Sequence, residues 1–242
     1  MGALTAEDVL RVWEQGSACA PLERALLLLS AADAAPVGEL AALPIGARDR
    51  RLLALRAATF GAKMPLAGRC PRCAQDLECT LDARELAAAG SEALAPAYEW
   101  RSGETVVRYR LPDSRDLVAV EGCAPEDAGR ALLERCILQA ARADEKLQPK
   151  DLPEEAASAL AEAMARADAG AETTIALTCP ACAHRWTVLF DVLTVLWADV
   201  TRRARRLLQE VDALARAYGW READVLALSP RRRSLYLEMV TG

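Results

Sequence analysis

The sequence predicts a mainly α protein with small β elements, an α+β fold. Three observations point there. Ala and Leu dominate a chain that is 52% apolar but only 5% aromatic, a composition suited to helices that pack small and medium side chains. An apolar stripe at the α period runs through the C-terminal part of the chain. Two short cysteine motifs, each followed by alternating apolar residues, begin 109 residues apart (179 − 70).

The elements can be justified in chain order. Thr5 offers a hydroxyl to cap the helix opened by Ala6-Glu7-Asp8, whose acids suit the positive end of the dipole, and that helix should end near Gly16. Pro21 opens a second helix whose unbroken leucines, Leu26 to Leu29, predict burial on most sides. A linker from Pro36 to Pro44 leads to a helix from about Ala47 to Phe60, stopped by Gly61.

In the middle of the chain, Thr105 to Leu111 has the β-branched, alternating character of a strand, ended by Pro112-Asp113-Ser114. Helices are predicted at about Pro125 to Ala140 and Leu152 to Ala167, the second capped by Asp151, with a strand at Thr173 to Thr178. The clearest helix begins near Asp191. Leu193, Leu196, Val200, Ala204, Leu207 and Leu214 all fall on one face, and Gly219 supplies the stop. A short helix from Glu222 to Leu228 and a last one opened by Ser229 and Pro230 complete the reading.

The cysteine motifs form an internal repeat. Cys70-Pro71-Arg72-Cys73-Ala74 and its continuation to Asp82 align without a gap on Cys179-Pro180-Ala181-Cys182-Ala183 and its continuation to Asp191. Leu77 aligns with Trp186, Cys79 with Val188 and Leu81 with Phe190, so each copy reads as a knuckle followed by a strand. Two cysteines separated by two residues in a tight turn direct both sulfurs at one ion. Two such knuckles supply the four soft ligands of a closed structural zinc site, Cys70, Cys73, Cys179 and Cys182, with Zn–S about 2.3 Å. Two disulfides within the motifs, or metal-free thiols, are the alternatives.

The separation of the pairs makes this a split zinc ribbon with a large insertion. The organisation it implies is an N-terminal helical region (1–66), a ribbon built from 67–83 and 172–191, an inserted α/β region (84–171) and a C-terminal helical region (192–242). Cys19, Cys79, Cys123 and Cys136 are expected to be small core residues. The single histidine, His184, is not expected to bind metal, because four thiolates already fill a tetrahedron. Trp186, Phe190 and Trp197 are expected to join the ribbon to the helical core.

The charge and motif content exclude several functions. A net charge of −5 argues against wholesale nucleic-acid binding. Met1 to Asp8 lacks a basic stretch followed by an apolar block, and no apolar run approaches the roughly 18 residues that span a bilayer, so the reading is of a soluble chain with no membrane role. One histidine, no Gly-x-Ser-x-Gly elbow, no phosphate-cradling glycine loop and a closed all-cysteine metal site together predict a non-enzyme.

Several segments resemble the T-even-phage-like baseplate hub assembly chaperones, a family of contractile phage tails and related injection systems. The resemblance rests on Leu43-Pro44-Ile45-Gly46-Ala47-Arg48-Asp49, Leu52 to Arg56, Thr59-Phe60-Gly61, both knuckles, Tyr109 to Leu117 and Tyr218 to Leu228. The family pattern often has Gly after the second cysteine of each knuckle, where this chain has Ala74 and Ala183. The resemblance implies a structural part or assembly factor that binds other tail or baseplate proteins, among hub, tube or wedge components. It would act in the bacterial cytoplasm during assembly, with retention in the particle left open.

A C-terminal docking element including Trp220, Arg231, Arg232, Arg233 and Tyr236 fits that role, because Trp, Tyr and Arg dominate many interfaces. The alternative is that the two rings simply pack the last helices together. The rival function is a nucleic-acid-binding zinc ribbon using the Arg-rich C-terminal helices, since residues 201–242 carry nine Arg against five acids, a net +4.

Overall fold

The computed structural model describes residues 2–33, 35–88, 95–143 and 145–241. Helix α1 (Ala6–Gly16) starts at Thr5, whose hydroxyl accepts the Asp8 N–H while Asp8 reaches back to the Thr5 N–H, a reciprocal capping box. Helices α2 (Pro21–Ala32), α3 (Val37–Ala41) and α4 (Ile45–Phe60) follow, so a short helix occupies the expected linker.

The chain then makes a hairpin of β1 (Lys63–Arg69) and β2 (Asp76–Asp82), a short helix α5 (Ala83–Ala88), and strands β3 (Tyr98–Ser102) and β4 (Thr105–Tyr109). Helices α6 (Ser114–Val120) and α7 (Pro125–Cys136) precede strands β5 (Ile137–Arg142) and β6 (Glu145–Leu147), then α8 (Glu154–Ala167). A second hairpin, β7 (Thr174–Thr178) and β8 (Arg185–Leu189), feeds α9 (Val192–Tyr218), which α10 (Glu222–Ala227) and α11 (Pro230–Thr241) follow.

Two hydrophobic clusters result. The first is helical, with Val12, Leu28, Leu52, Leu196, Val200 and Leu207 at its centre. The long stripe of α9 supplies much of it, and Gly219 ends that helix at φ +68°, a left-handed conformation that glycine takes without steric cost. Trp197 lies against Gly16, where an added Cβ would sit 2.5 Å from the indole ring, and Arg24 covers the ring at 4.8 Å. Phe190 and Trp197 both pack on this cluster, as expected, but Trp186 does not.

The second cluster joins the antiparallel sheet β3-β4-β5-β6 to α7 and α8 through Val107, Tyr109, Leu133, Ile137 and Leu160. Here two expectations need correction. The helix expected to reach Ala140 stops at Cys136, because Ile137–Arg142 pairs with β4 on one side and β6 on the other, and sheet pairing overrides the helical preference of Ala140-Ala141. Asp151 lies in a 3-10 turn (Pro149–Asp151), and Pro153 occupies the cap position of α8 instead.

Segments distant in sequence are locked together beside α4. Ile45 donates its N–H to the Pro112 carbonyl at 3.1 Å, and Arg48, itself buried, reaches the Ser114 hydroxyl at 3.2 Å. The Gly46 N–H donates to Asp168 Oδ2 at 2.8 Å across 122 residues. Asp116 accepts both arms of the Arg110 guanidinium, the Arg135 Nε and the Asp113 N–H. Burial opposes its charge, but the Arg110 fork, the Asp113 N–H and Arg135 outweigh burial and hold the carboxyl down at about 2.

Candidate metal centre

The two hairpins place one knuckle each. In the first, the Cys70 N–H donates to the Gln75 carbonyl and the Ala74 N–H to the Cys70 carbonyl, both at 2.9 Å. In the second, the Cys179 N–H donates to the His184 carbonyl and the Ala183 N–H to the Cys179 carbonyl, again at 2.9 Å. Ala74 and Ala183 both adopt positive φ, +59° and +55°. These are the positions where the resembled family often has Gly, so alanine is held where glycine would be unstrained.

The repeat extends beyond the knuckles. Cys79 faces Leu66 across the first hairpin as Val188 faces Ile175 across the second, and Leu77 and Trp186 have partners Gly68 and Leu177. The closing aspartates share a task as well. Asp82 accepts the Arg84 N–H at 2.8 Å before α5, and Asp191 accepts the Leu193 N–H at 2.9 Å before α9. The backbone N–H of Arg84 is the main cause that holds the Asp82 carboxyl below its ordinary value. Each copy is therefore a hairpin that delivers its cysteines at one end and caps a helix at the other.

All four ligand atoms, the Sγ of Cys70, Cys73, Cys179 and Cys182, lie within 4.8 Å of one another. Cys70 Sγ is 3.8 Å from Cys182 Sγ, and Cys73 Sγ is 3.6 Å from Cys179 Sγ. A covalent S–S bond needs about 2.05 Å, so these contacts are not disulfides. Four thiolates on a tetrahedron with a metal–sulfur distance of about 2.3 Å stand about 3.8 Å apart, close to the separation of these two pairs. The sequence-predicted ligands are thus brought together in a cluster that could hold a metal ion.

The thiols of the cluster shift in opposite directions. Burial pushes the Cys179 thiol up, but the N–H groups of Cys182 and Ala181 prevail and bring it down to about 7. The Gln75 N–H favours a thiolate at Cys73, yet its sulfur neighbours, Cys182 first, drive it up to about 12. Clustered thiolates repel one another, and a bound cation would relieve that repulsion.

Other sequence expectations divide. His184 is outside the sulfur cluster and stacks on Trp186, ring centroids 5.7 Å apart. Cys136 is buried, and burial pushes its thiol up to about 12, whereas Cys123 is exposed and is no core residue. At the C-terminus, Trp220 packs on Tyr218 at 4.8 Å and on Tyr236 at 4.9 Å. Arg231 and Arg232 are exposed, but Arg233 is enclosed and donates to Glu210 at 2.6 Å. Nothing in the sequence pattern separates Arg233 from its neighbours; the signal is Glu210, an acid on the buried face of α9.

Comparison with known families decides the chain's affiliation. The model of a family described as T4 bacteriophage base plate protein matches residues 28–197, a span that includes both knuckles and everything between them. The chain belongs to the T4 bacteriophage base plate protein family. No curated protein and no solved structure matches it. Membership connects this baseplate-family chain with the phage particle and with other tail components in general. None of its described helices is long and apolar enough to cross a membrane.

Proposed function

We propose that this baseplate-family chain is a non-enzymatic, zinc-stabilised structural or assembly protein of a contractile phage tail or phage-like injection system, acting through contacts with hub, tube or wedge components. The family match over residues 28–197 carries the assembly reading. The single sulfur cluster drawn from two distant hairpins supports the zinc, because thiolates in a tetrahedral set select it over harder cations. Bound there, the ion would have all its positions filled by protein, which gives it the work of a clamp and leaves no place for a substrate.

The ion would tie β1-β2 to β7-β8 as a split ribbon, and so fasten the ends of the inserted region 84–171. The C-terminal segment is read as the docking element. Arg231 and Arg232 face solvent beside Leu235 and Met239, 47% and 71% exposed, while Arg233 anchors α11 from within. Trp220 and Tyr236 shape the edge of that surface. A nucleic-acid role is disfavoured by the chain's net charge of −5. Assembly in the bacterial cytoplasm follows from the same reading.

Affinity purification of the tagged chain from cells producing the particle tests this. Baseplate or tube proteins should co-purify, and Arg231→Glu with Arg232→Glu should reduce their yield while leaving the fold intact. Recovery of nucleic acid without tail proteins would contradict the reading.

A further inference from the structure

Helix α9 gathers more positive charge than its carboxylates balance. Asp199 pairs with Arg56 at 3.1 Å and Arg202 at 2.9 Å. Glu210 pairs with Arg203 at 3.3 Å, Arg206 at 3.0 Å and Arg233 at 2.6 Å. Five guanidinium groups share two carboxylates, a local surplus of three positive charges in a chain of net charge −5. Arg56 and Arg233 are buried, so the surplus emerges at Arg202, Arg203 and Arg206.

Those three arginines and Lys63 line a cleft of about 510 Å³ together with Asp199, and Lys63 is paired with Asp82 at 3.2 Å while staying largely exposed. Its floor is apolar, formed by Phe60, Met64, Pro65, Leu66 and Val195. The cleft shares Leu66, Thr194 and Val195 with a second, more apolar crevice of about 410 Å³ between the two hairpins, lined also by Leu177, Trp186 and Val188. The two cavities adjoin, one with a basic lining and the other with an apolar one.

We propose that these adjoining cavities dock an extended acidic segment of a partner protein, with apolar side chains in the crevice and carboxylates on Arg202, Arg206 and Lys63. The argument is charge complementarity. Forked guanidinium groups already committed to one carboxylate retain outward N–H donors for another, and an apolar floor accepts the side chains between the acids. A single-stranded nucleic acid fits less well, because one face of Trp186 is covered by His184, leaving little to stack bases on. The proposal rests on reading the chain as a protein-docking part.

Fluorescence anisotropy with a labelled peptide of alternating Glu and Leu tests it, beside a matched Lys-Leu peptide and labelled oligothymidylate. The acidic peptide should bind, weaken between about 50 and about 300 mM salt, and lose about tenfold in affinity in the Lys63→Gln, Arg202→Gln double variant. Arg166→Gln, on the distant α8, should bind as the parent does. Circular dichroism verifies the fold, and Lys63→Gln alone carries the test if the double variant loses structure. Absent or charge-independent peptide binding, an unaffected double variant, or tighter binding of oligothymidylate would overturn the proposal. Loss of peptide binding alongside normal co-purification of baseplate proteins would sink this docking site alone and leave the assembly reading standing.

Discussion

Ala74 and Ala183, at equivalent places in the two knuckles, hold the same left-handed backbone conformation at φ +59° and +55°. Such a conformation costs an alanine roughly 1–2 kcal/mol, while glycine loses about 0.5–1 kcal/mol of that advantage through its freer unfolded chain. Each Ala→Gly change should therefore stabilise the metal-loaded protein by about 0.5–1 kcal/mol, read as a higher urea midpoint at constant slope. Destabilisation by both changes would show that the turns relax in solution.

A second prediction concerns Gly46. A Cβ there would sit 2.0 Å from Asp168 Oδ1 and 2.8 Å from the Ala171 nitrogen. Gly46→Ala should cost about 2–3 kcal/mol by overpacking. In an Asp168→Ala background the added cost should shrink, and a double-mutant cycle that finds the two changes additive would refute the contact.

How much of this was legible in the sequence depended on whether the signal was local. The α9 stripe with its Asp191 cap and Gly219 stop could be read directly, and so could the four cysteines, because repetition fixed both spacing and flanks. Strand β1 was missed since Pro65 and Gly68 spoil its pattern, although its register mirrors that of β7. Ile137–Arg142 was misread because its partners, β4 and β6, decide its state and its own alanines do not. Arg233 looked like a surface charge, and only the fold shows Glu210 waiting for it across 23 residues.

The third prediction is a pH dependence at Asp116. Its carboxyl sits at about 2 in the folded chain, against an ordinary value of 3.8. A depressed folded value contributes stability that is fully present above pH ~4, about 2 kcal/mol, and that disappears as pH falls toward 2. The stability gap between the parent and Asp116→Asn should be flat from neutral pH to about 4 and narrow below it. A gap unchanged down to the lowest pH would contradict the role of the Arg110 and Arg135 pairs.

Glu210, on the buried face of α9, should be costly to remove. Glu210→Ala leaves Arg233 enclosed at 1% exposure with no carboxylate, and breaking a buried pair in this way costs about 3–5 kcal/mol. Hydrogen exchange should show α11 opening first. Glu210→Ala together with Arg233→Met should recover part of the loss, and no recovery would mean that the pair is not the source of the cost.

The most direct test of the account is the metal content of the purified chain. Protein produced without added metal and passed through a desalting column should carry one zinc per chain by native mass spectrometry and elemental analysis. Cys70→Ser with Cys179→Ser, one ligand from each hairpin, should abolish it. A parent chain that holds no zinc, or a double variant that keeps a full equivalent, would contradict the clamp formed by Cys70, Cys73, Cys179 and Cys182.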